Sequence, residues 1–488
     1  MKKYSSILLG ICYLLIAGCS KDKGNYDLVP INQISIDDQV TGTIPVFQYD
    51  NLKLTPRLEQ TMAVDEDKLV YSWLAYAEAN PKTSYPISNT KNLDVKIELL
   101  PGNYIILYTV KDTQTGVLFF KEYKIAVSTR LSEGWMILED ISNGKQEISM
   151  INASDEVFHN LYQTANNGQS LPDNAHTIRV VNSGRGNAQR IFVLADNNAI
   201  EINYAGFKKI DEMKDWFFSM PSVVNVQNYS YGKLGAVAFV VNDSELYSLS
   251  LMSGEDPIYK FGAPIKGDWK ISPYIFPFTF GDYALLYDVK NQRFLAHSYA
   301  SISSLSNPPG SAFDPGNVGK EMVFGGAGSS FGSYYNCLMK NNNENKFFVY
   351  TVDASAFTDV IAVEQYEVED AAELQNASLF AFSGMFPHMY YAVNNKIYLL
   401  DIPAQKSRLA YSFPAGTEIT AIKLKQSTSL VVDYPDDNKQ FVAATYQGGE
   451  GKIYKFDISN TGDFEGDTYA KEYTGFKKIK YLEYKNKK

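Results

Sequence analysis

The chain has 488 residues, 45% of them hydrophobic, and a formal net charge of −10 at pH 7. A chain of this length is too long for one ordinary core, so at least two domains are expected. Its acidic and evenly dispersed charge argues against a nucleic-acid partner, because binding to phosphates requires clustered Lys and Arg.

The N-terminus has the features of an export signal. Lys2 and Lys3 precede an apolar stretch, Ile7–Ala17, that is too short to span a bilayer. The stretch ends in Ile-Ala-Gly-Cys, which resembles a bacterial lipoprotein signal in which Cys19 receives the lipid. We therefore predict a lipoprotein signal peptide over residues 1–18, lipid attachment at Cys19 and a polar tether over residues 19–29. An ordinary signal peptide is the alternative.

The residues that follow Cys19 bear on the cell compartment. Lys21 and Asp22 resemble the export signal that sends Bacteroidetes lipoproteins to the outer cell surface. We therefore expect a lipid-anchored protein of the outer membrane that faces the exterior. Cys12 would leave with the signal peptide and Cys19 would carry the lipid, so Cys337 would stand alone and no intrachain disulfide could form.

Residues 30–129 read as short alternating strands. Leu69–Leu74 contains a tryptophan at a buried position, Ile105–Val110 follows a Pro-Gly-Asn-Tyr turn, and Leu118–Phe120 follows a polar hairpin. Strands and turns at this spacing are typical of a β-sandwich of about 100 residues. Without a cysteine pair, Trp73 would have to pack without the disulfide that antibody domains use.

Several of these segments resemble a known family. The Cys-Ser-Lys-Asp start at Cys19, the strand Tyr71-Ser72-Trp73, the turn at Pro101 and the Gly-Trp-Met-Ile-Leu phrase at Gly134 are similar to the PKD-like lipoproteins of Bacteroidetes. The resemblance implies a PKD/Ig-like sandwich and a setting in an outer-membrane uptake locus. The expected partners are a SusC-like TonB-dependent transporter and its SusD-like lipoprotein.

The remaining chain, residues 130–488, repeats a strand–turn–strand phrase. Its seven copies open near Trp135, Ile191, Val237, Tyr283, Tyr335, Met389 and Phe441. A spacing of roughly 45–55 residues is the size of one four-stranded propeller blade. The final alternating segment, Phe476–Tyr484, is placed to pair with the first blade. We predict an all-β chain in which the sandwich is followed by a C-terminal seven-bladed β-propeller, with the blade count open by one.

Catalytic patterns are weak. Gly328–Gly332 matches a nucleophile elbow, but a strand follows it where the elbow requires a helix. No two of the four histidines have the spacing of a local zinc-ligand pair. The acidic pairs at Asp436 and Glu369 have the composition of turns. We therefore predict no catalytic residues, no metal site and no cofactor.

Aromatic residues are the more informative surplus, at 14% of the chain. Trp216 and Phe217 fall in one predicted loop, and Trp269 and Tyr274 fall in the next. Flat aromatic faces on a rigid scaffold can stack on sugar rings or hold peptide side chains. We predict these four as ligand-binding residues, while the structural alternative is that they fill gaps between blades.

Together these patterns favour a cell-surface lipoprotein that assists a TonB-dependent, SusCD-type nutrient transporter. It would bind an oligosaccharide or a peptide without catalysis, and the sequence does not choose between these ligands. Two alternatives stay open. The propeller could be a hydrolase or lyase acting on the same nutrient, or a scaffold of the transporter complex that binds no nutrient. Fold alone decides none of these.

Overall fold

The computed structural model describes residues 31–37, 40–62, 66–142, 144–183, 188–233, 237–250, 260–278, 283–298, 301–328, 333–355, 360–426 and 436–487. The predicted signal peptide, Cys19 and the tether lie outside these residues. The chain divides into two compact units, Met1–Ser128 and Thr129–Lys488.

The described part of the first unit is made of nine strands and one 3-10 turn. The strands are β1 (Ile34–Asp37), β2 (Thr43–Phe47), β3 (Asn51–Leu54), β4 (Arg57–Gln60), β5 (Leu69–Ala77), β6 (Asn80–Ser88), β7 (Leu93–Lys96), β8 (Gly102–Asp112) and β9 (Leu118–Ser128), and the turn is Glu66–Lys68. The largest sheet has the order β2-β9-β8-β5-β6, and β1-β4 and β3-β7 form two smaller antiparallel pairs. Strand β2 runs parallel to β9, and the other pairs in the large sheet are antiparallel.

Trp73 lies at the centre of this unit's core. Its side chain is fully buried and stacks on Tyr108 with ring centroids 4.2 Å apart. The indole Nε1 donates a hydrogen bond to the carbonyl oxygen of Thr90 at 2.8 Å. A buried indole N–H needs such a partner, so the side chain is satisfied without a disulfide beside it.

The second unit contains the remaining strands. They are β10 (Gly134–Ser142), β11 (Lys145–Asn152), β12 (Val157–Phe158), β13 (Ala175–Ser183), β14 (Ala188–Ala195), β15 (Asn198–Ile202), β16 (Lys209–Glu212), β17 (Val226–Tyr231), β18 (Val237–Asn242), β19 (Glu245–Ser250), β20 (Ile271–Pro277), β21 (Tyr283–Asp288), β22 (Arg293–Ser298), β23 (Ser301–Ser304), β24 (Glu321–Ala327), β25 (Tyr334–Asn341), β26 (Lys346–Asp353), β27 (Ala362–Glu367), β28 (Leu379–Phe382), β29 (His388–Val393), β30 (Lys396–Asp401), β31 (Lys406–Ser412), β32 (Glu418–Leu424), β33 (Gln440–Gln447), β34 (Glu450–Asp457), β35 (Lys471–Phe476) and β36 (Lys478–Lys485).

Helices are short wherever the second unit is described. They are α1 (Leu161–Ala165) and α2 (Met213–Trp216), with 3-10 turns at Leu374–Asn376 and Glu465–Asp467. None of the described helices is long and apolar enough to cross a membrane. Because strands predominate in both units and the described helices are few and short, the all-β prediction is confirmed.

Seven antiparallel sheets occupy the described residues of the second unit. Their orders are β12-β11-β10-β36, β13-β14-β15-β16, β17-β18-β19, β20-β21-β22-β23, β24-β25-β26-β27, β28-β29-β30-β31 and β32-β33-β34-β35. In six of these sheets the sequence repeat falls in the second strand in chain order. In the first sheet it falls in β10, which comes first in chain order but lies second in the sheet, beside β36. These strands read as apolar runs because they are largely buried on both faces.

Neighbouring sheets meet through one terminal strand each, which we call the inner strand. Contacts join β36 to β13, β13 to β17, β17 to β20, β20 to β24, β24 to β28, β28 to β32, and β32 to β36. Apolar residues on the facing sheets form the cores between them. One such core joins β10, β33 and β36 and includes Trp135, Val442 and Leu482.

The first sheet is built from both ends of the unit. Strand β36 pairs antiparallel with β10, so that Trp135 lies opposite Tyr484 and Ile137 lies opposite Leu482. The register shifts between Leu138 and Glu139, where Lys480 has no partner residue. The C-terminal strand thus completes the sheet that β10 begins.

Substitution of Leu482 tests how much the packing of β36 contributes to the free energy of unfolding. Its side chain is 2% exposed, whereas that of Leu409 on β31 is 53% exposed. We predict that Leu482→Ala lowers the free energy of unfolding by about 2–5 kcal/mol, because it leaves a cavity in the core between sheets. The control, Leu409→Ala, should change it by no more than about 0.5 kcal/mol. Urea unfolding followed by fluorescence measures both, and equal effects of the two substitutions would contradict the packing described here.

Candidate functional site

Trp216 and Phe217, the first two predicted ligand-binding residues, are buried. Trp216 is 6% exposed and Phe217 is 2% exposed. The indole Nε1 of Trp216 donates to Asp211 Oδ1 at 2.6 Å, and its ring meets Phe192 edge to face. Both rings therefore pack in the core between the second and third sheets and present no free face to a ligand.

Trp269 and Tyr274 are partly buried and lie in two other cores. Trp269 packs against the core around Val237 and Ile271. Tyr274 packs in the core around Phe276 and meets Phe324 edge to face, with ring centroids 5.5 Å apart. The structure thus distributes the four predicted residues over three cores and does not bring them together. Their role in ligand binding stays a prediction.

A different set of residues forms an open, polar cleft at the start of the inner strands. Two adjoining cavities, of about 460 Å³ and about 450 Å³, share Asp140, Lys478 and Lys480. Glu418 and Thr420, from the beginning of β32, line the second cavity. We call these five residues the inner cleft.

Ion pairs organise the inner cleft. Lys478 Nζ lies 2.8 Å from each carboxylate oxygen of Glu418. Lys480 Nζ lies 3.5 Å from Asp140 Oδ1, which also accepts a hydrogen bond from Gln146 Nε2 at 2.7 Å. Each carboxylate of the cleft therefore has a lysine partner, while about a third of the Lys480 side chain remains exposed.

Charged side chains continue further along the same inner strands. Lys423 on β32 forms an ion pair with Glu483 on β36, at 3.0 Å between Nζ and Oε2. The ammonium group of Lys423 also lies 5.4 Å from the centroid of the Tyr481 ring. Arg179 on β13 hydrogen-bonds to Tyr481. We call Arg179, Lys423, Tyr481 and Glu483 the inner charged group.

Electrostatics keep the cations of this group charged. Burial alone would lower the pKa of Arg179, but Tyr481 and Glu483 outweigh it and raise the pKa above its ordinary value. The pKa of Lys423 is likewise raised, because its attraction to Glu483 and Tyr481 outweighs burial. Beside the cleft, His176 has a lowered pKa, chiefly from burial and further from the charge of Lys480. The neutral imidazole is therefore favoured there at neutral pH.

Other sequence patterns show no catalytic arrangement where the structure describes them. Residues 329–332 of the elbow-like pattern lie outside the described residues. Burial raises the pKa of the Cys337 thiol, so it is not an activated nucleophile. Ser149 is fully buried. Its hydroxyl group donates a hydrogen bond to Glu139 Oε1 at 2.5 Å and lies 3.0 Å from His159 Nδ1. Among the described residues, no group of three or more His, Cys, Asp or Glu side chains could hold a metal ion.

Sequence reasoning missed both the inner cleft and the inner charged group. Lys478 and Lys480 belong to the segment that was predicted only as a closing strand, and Arg179 stands in an ordinary apolar strand. The signal was the alternation of lysines at the start of β36. It becomes informative only once β13, β32 and β36 are known to be neighbours.

Comparisons with known proteins bear on family and fold. Residues 19–174 match the model of the PKD-like family, which confirms the PKD-like part of the resemblance for this N-terminal part of the chain, while the lipoprotein and uptake-locus parts stay predictions. No curated protein matches the chain.

Solved structures resemble the chain at low sequence identity. A quinonprotein alcohol dehydrogenase-like protein from Bacteroides thetaiotaomicron is 12% identical, with a TM-score of 0.51 over 93% of this chain and 99% of that one. The WD40 domain of SCAP from fission yeast is 9% identical, with a TM-score of 0.36 over 62% of this chain and 74% of that one. The folds of these neighbours are β-propeller-like, and the first of them supports that architecture here.

Asp211 should make stability depend on pH. Burial raises its pKa to about 6, although the hydrogen bond from Trp216 opposes the shift. The carboxyl group of an Asp in an unfolded chain has a pKa of about 3.9. As the pH rises, the unfolded chain therefore loses this proton at a lower pH than the folded protein does. This group therefore lowers stability progressively between about pH 4 and pH 6, and the loss persists above that range.

We predict that Asp211→Asn removes this part of the pH dependence, because the amide oxygen can still accept the Trp216 hydrogen bond. The measurement is the free energy of unfolding from pH 4 to pH 7, with exposed Asp268→Asn as the matched control. An unchanged slope in Asp211→Asn would contradict the prediction.

The Lys423–Glu483 pair gives a second prediction. Removing the ammonium group leaves Glu483, only 8% exposed, with less compensation for its charge. We expect Lys423→Met to cost about 1–3 kcal/mol of stability. The double substitution Lys423→Met with Glu483→Gln should cost less than the sum of the two single ones.

The control is Lys266, a surface lysine that pairs with Glu245 and whose side chain is 71% exposed. Lys266→Met should change stability by no more than about 0.5 kcal/mol. Strict additivity of the Lys423 and Glu483 substitutions would show that the two charges do not interact energetically.

Proposed function

We propose that this protein is a lipid-anchored accessory of a TonB-dependent nutrient transporter, and that it binds an oligosaccharide or peptide without catalysis. The observation that carries the binding role is the inner cleft, an open site where lysines and carboxylates converge on the first residues of the inner strands. Polar groups held in fixed positions by a β-scaffold are suited to recognising hydroxyl, amide and acid groups.

The architecture of the binding unit is also part of the proposal. We infer that the seven sheets are the blades of a closed seven-bladed propeller, with β36 as the inner strand of the first blade. The support is the series of contacts between inner strands, which returns from β32 to β36 and from there to β13. Closure of this kind removes exposed sheet edges, and it would place the inner cleft at one mouth of the central channel.

The absence of catalysis is proposed from the state of the carboxylates. Asp140, Glu418 and Glu483 each contact a lysine. A glycosidase instead requires two carboxylates on either side of the scissile bond, one of them protonated. Release of cleaved products from a candidate oligosaccharide would replace this proposal with the hydrolase or lyase alternative.

The scaffold alternative has one observation in its favour. Between Ile210 and Val223, four large apolar side chains are exposed, with Phe218 at 71% and Val223 at 52%. Exposed apolar residues concentrated in one segment are typical of protein–protein contacts. This exposed apolar segment could contact the transporter both in an accessory that binds the nutrient and in a scaffold that does not.

Membrane attachment is tested at Cys19. We predict that Cys19→Ser moves the protein from the outer-membrane fraction to the released fraction, because the thiol that would carry the acyl chains is missing. Cys12→Ser is the matched control and should leave the distribution unchanged. Immunoblots of fractionated cells measure both, and equal membrane retention of the two variants would exclude a lipid anchor at Cys19.

The transporter association is tested in the native membrane. The tagged lipidated protein is isolated from its own outer membrane, and everything retained is identified by mass spectrometry. We expect a TonB-dependent transporter and its SusD-like lipoprotein. Recovery of the protein alone would contradict the accessory role.

A further inference from the structure

The inner cleft and the inner charged group carry more positive than negative charge. The cations are Lys478, Lys480, Lys423 and Arg179, and the carboxylates are Asp140, Glu418 and Glu483. The whole chain, by contrast, has a net charge of −10. An excess of cations at one place in an acidic protein favours negatively charged ligands there. Uncharged groups of the same ligand can still bind beside the cations.

Among the residues that make up the inner cleft and the inner charged group, two side-chain polar atoms are buried and lack a hydrogen-bond partner in the protein. They are Thr420 Oγ1, which belongs to the inner cleft, and Arg179 Nε, which belongs to the inner charged group. Buried polar groups are nearly always satisfied in folded proteins, so Thr420 Oγ1 marks a place in the cleft where a ligand can supply the partner, and Arg179 Nε marks a second place further along the inner strands. An oxygen-rich ligand suits both, since the guanidinium N–H only donates.

Lys480 is placed to reach such a ligand. It stands in the bulge of β36, where the strand has one residue more than its partner β10. Bulges change the direction of a side chain at the edges of functional sites. The contact of Lys480 with Asp140 is long, at 3.5 Å, and a third of the side chain is exposed. Lys480 can therefore turn to an incoming anion at little cost.

The inner charged group lies within the reach of a short oligomer. Lys423 stands three residues beyond Thr420 on the same strand, which is about 10 Å at about 3.3 Å per residue. A ligand of two or three sugar units can therefore contact the inner cleft at one end and approach Lys423 and Arg179 at the other.

We propose that the ligand is an acidic oligosaccharide with carboxylate groups, which Lys480 binds at one end and Lys423 and Arg179 bind at the other, while its hydroxyl groups contact Asp140, Glu418 and Thr420. This inference rests on the binding function proposed above and specifies the ligand class of the same site. An oligosaccharide fits better than a peptide because most of the side chains that line the two cavities are polar or charged. The cleft offers many partners for hydroxyl groups and no enclosed apolar pocket for a peptide side chain.

Calorimetry on the mature full-length chain in detergent tests this ligand class. The acidic probes are trigalacturonic acid and an unsulfated hyaluronan tetrasaccharide, and the comparison ligands are neutral maltotriose and the peptide triglutamate. We expect saturable binding of at least one acidic sugar, at least tenfold tighter than that of maltotriose. The affinity should fall severalfold as salt is raised from about 50 mM to about 500 mM, because the contacts are ionic.

Variants locate the binding to the cleft. Lys480→Met should weaken binding of the acidic sugar at least tenfold, and Arg179→Lys should weaken it as well. The matched control is Lys290→Met, which removes a half-exposed lysine that pairs with Asp268 outside the cleft. Lys290→Met should leave the affinity unchanged. Circular dichroism and the unfolding midpoint establish that each variant is folded.

The possible results distinguish the inference of an acidic oligosaccharide from the binding function proposed above. Equal affinity for maltotriose and the acidic sugars would overturn the acidic ligand while preserving oligosaccharide binding. Tighter binding of triglutamate than of either acidic sugar would overturn the oligosaccharide and favour a peptide. No binding of either acidic sugar, or binding that survives Lys480→Met, would overturn the inference outright. A chain that binds none of the four ligands would also contradict the proposed function.

Discussion

The pairing of β36 with β10 is the constraint on which the second unit depends. A strand from the C-terminus completes the sheet that β10, near the start of the unit, begins. Unpaired, the edge of β10 would expose backbone donors and acceptors and the apolar side chains of the adjoining core. The same strand also contributes Lys478, Lys480, Tyr481 and Glu483, so the candidate site exists only when the terminal strand is in place. The folding of this unit and the candidate site therefore depend on the same strand.

Charge inside this unit is arranged in pairs. Lys423 with Glu483 and Lys478 with Glu418 each bridge β32 and β36, so the same contacts hold neighbouring inner strands together and hold the lysines in position. Exposed pairs contribute little to stability, whereas partly buried ones depend on both partners being present. A binding site made of such pairs is preorganised, because the scaffold has already fixed the side chains before a ligand arrives.

The aromatic surplus serves mainly to join sheets. Phe192, Trp216 and Tyr229 form one buried cluster, and their rings contact each other face to face or edge to face. Large, flat side chains fill the space between neighbouring sheets that touch along their faces. Trp216 packs in this cluster and donates its indole N–H to Asp211.

The sequence by itself determined the all-β class, the PKD-like character of the N-terminal part and the positions of the repeated strands. These follow from local rules, since alternation, turn residues and doubly buried apolar runs are visible within ten residues of one another. It could not reveal which aromatic rings are buried, because a tryptophan that follows a strand reads the same whether it faces solvent or a neighbouring sheet. Nor could it reveal the inner cleft.

Arg179, Glu418 and Lys480 are separated by up to some three hundred residues, and only the contacts among β13, β32 and β36 bring their charges together. The tertiary structure decided the site because electrostatic interactions depend on distance in space, while a sequence records only distance along the chain.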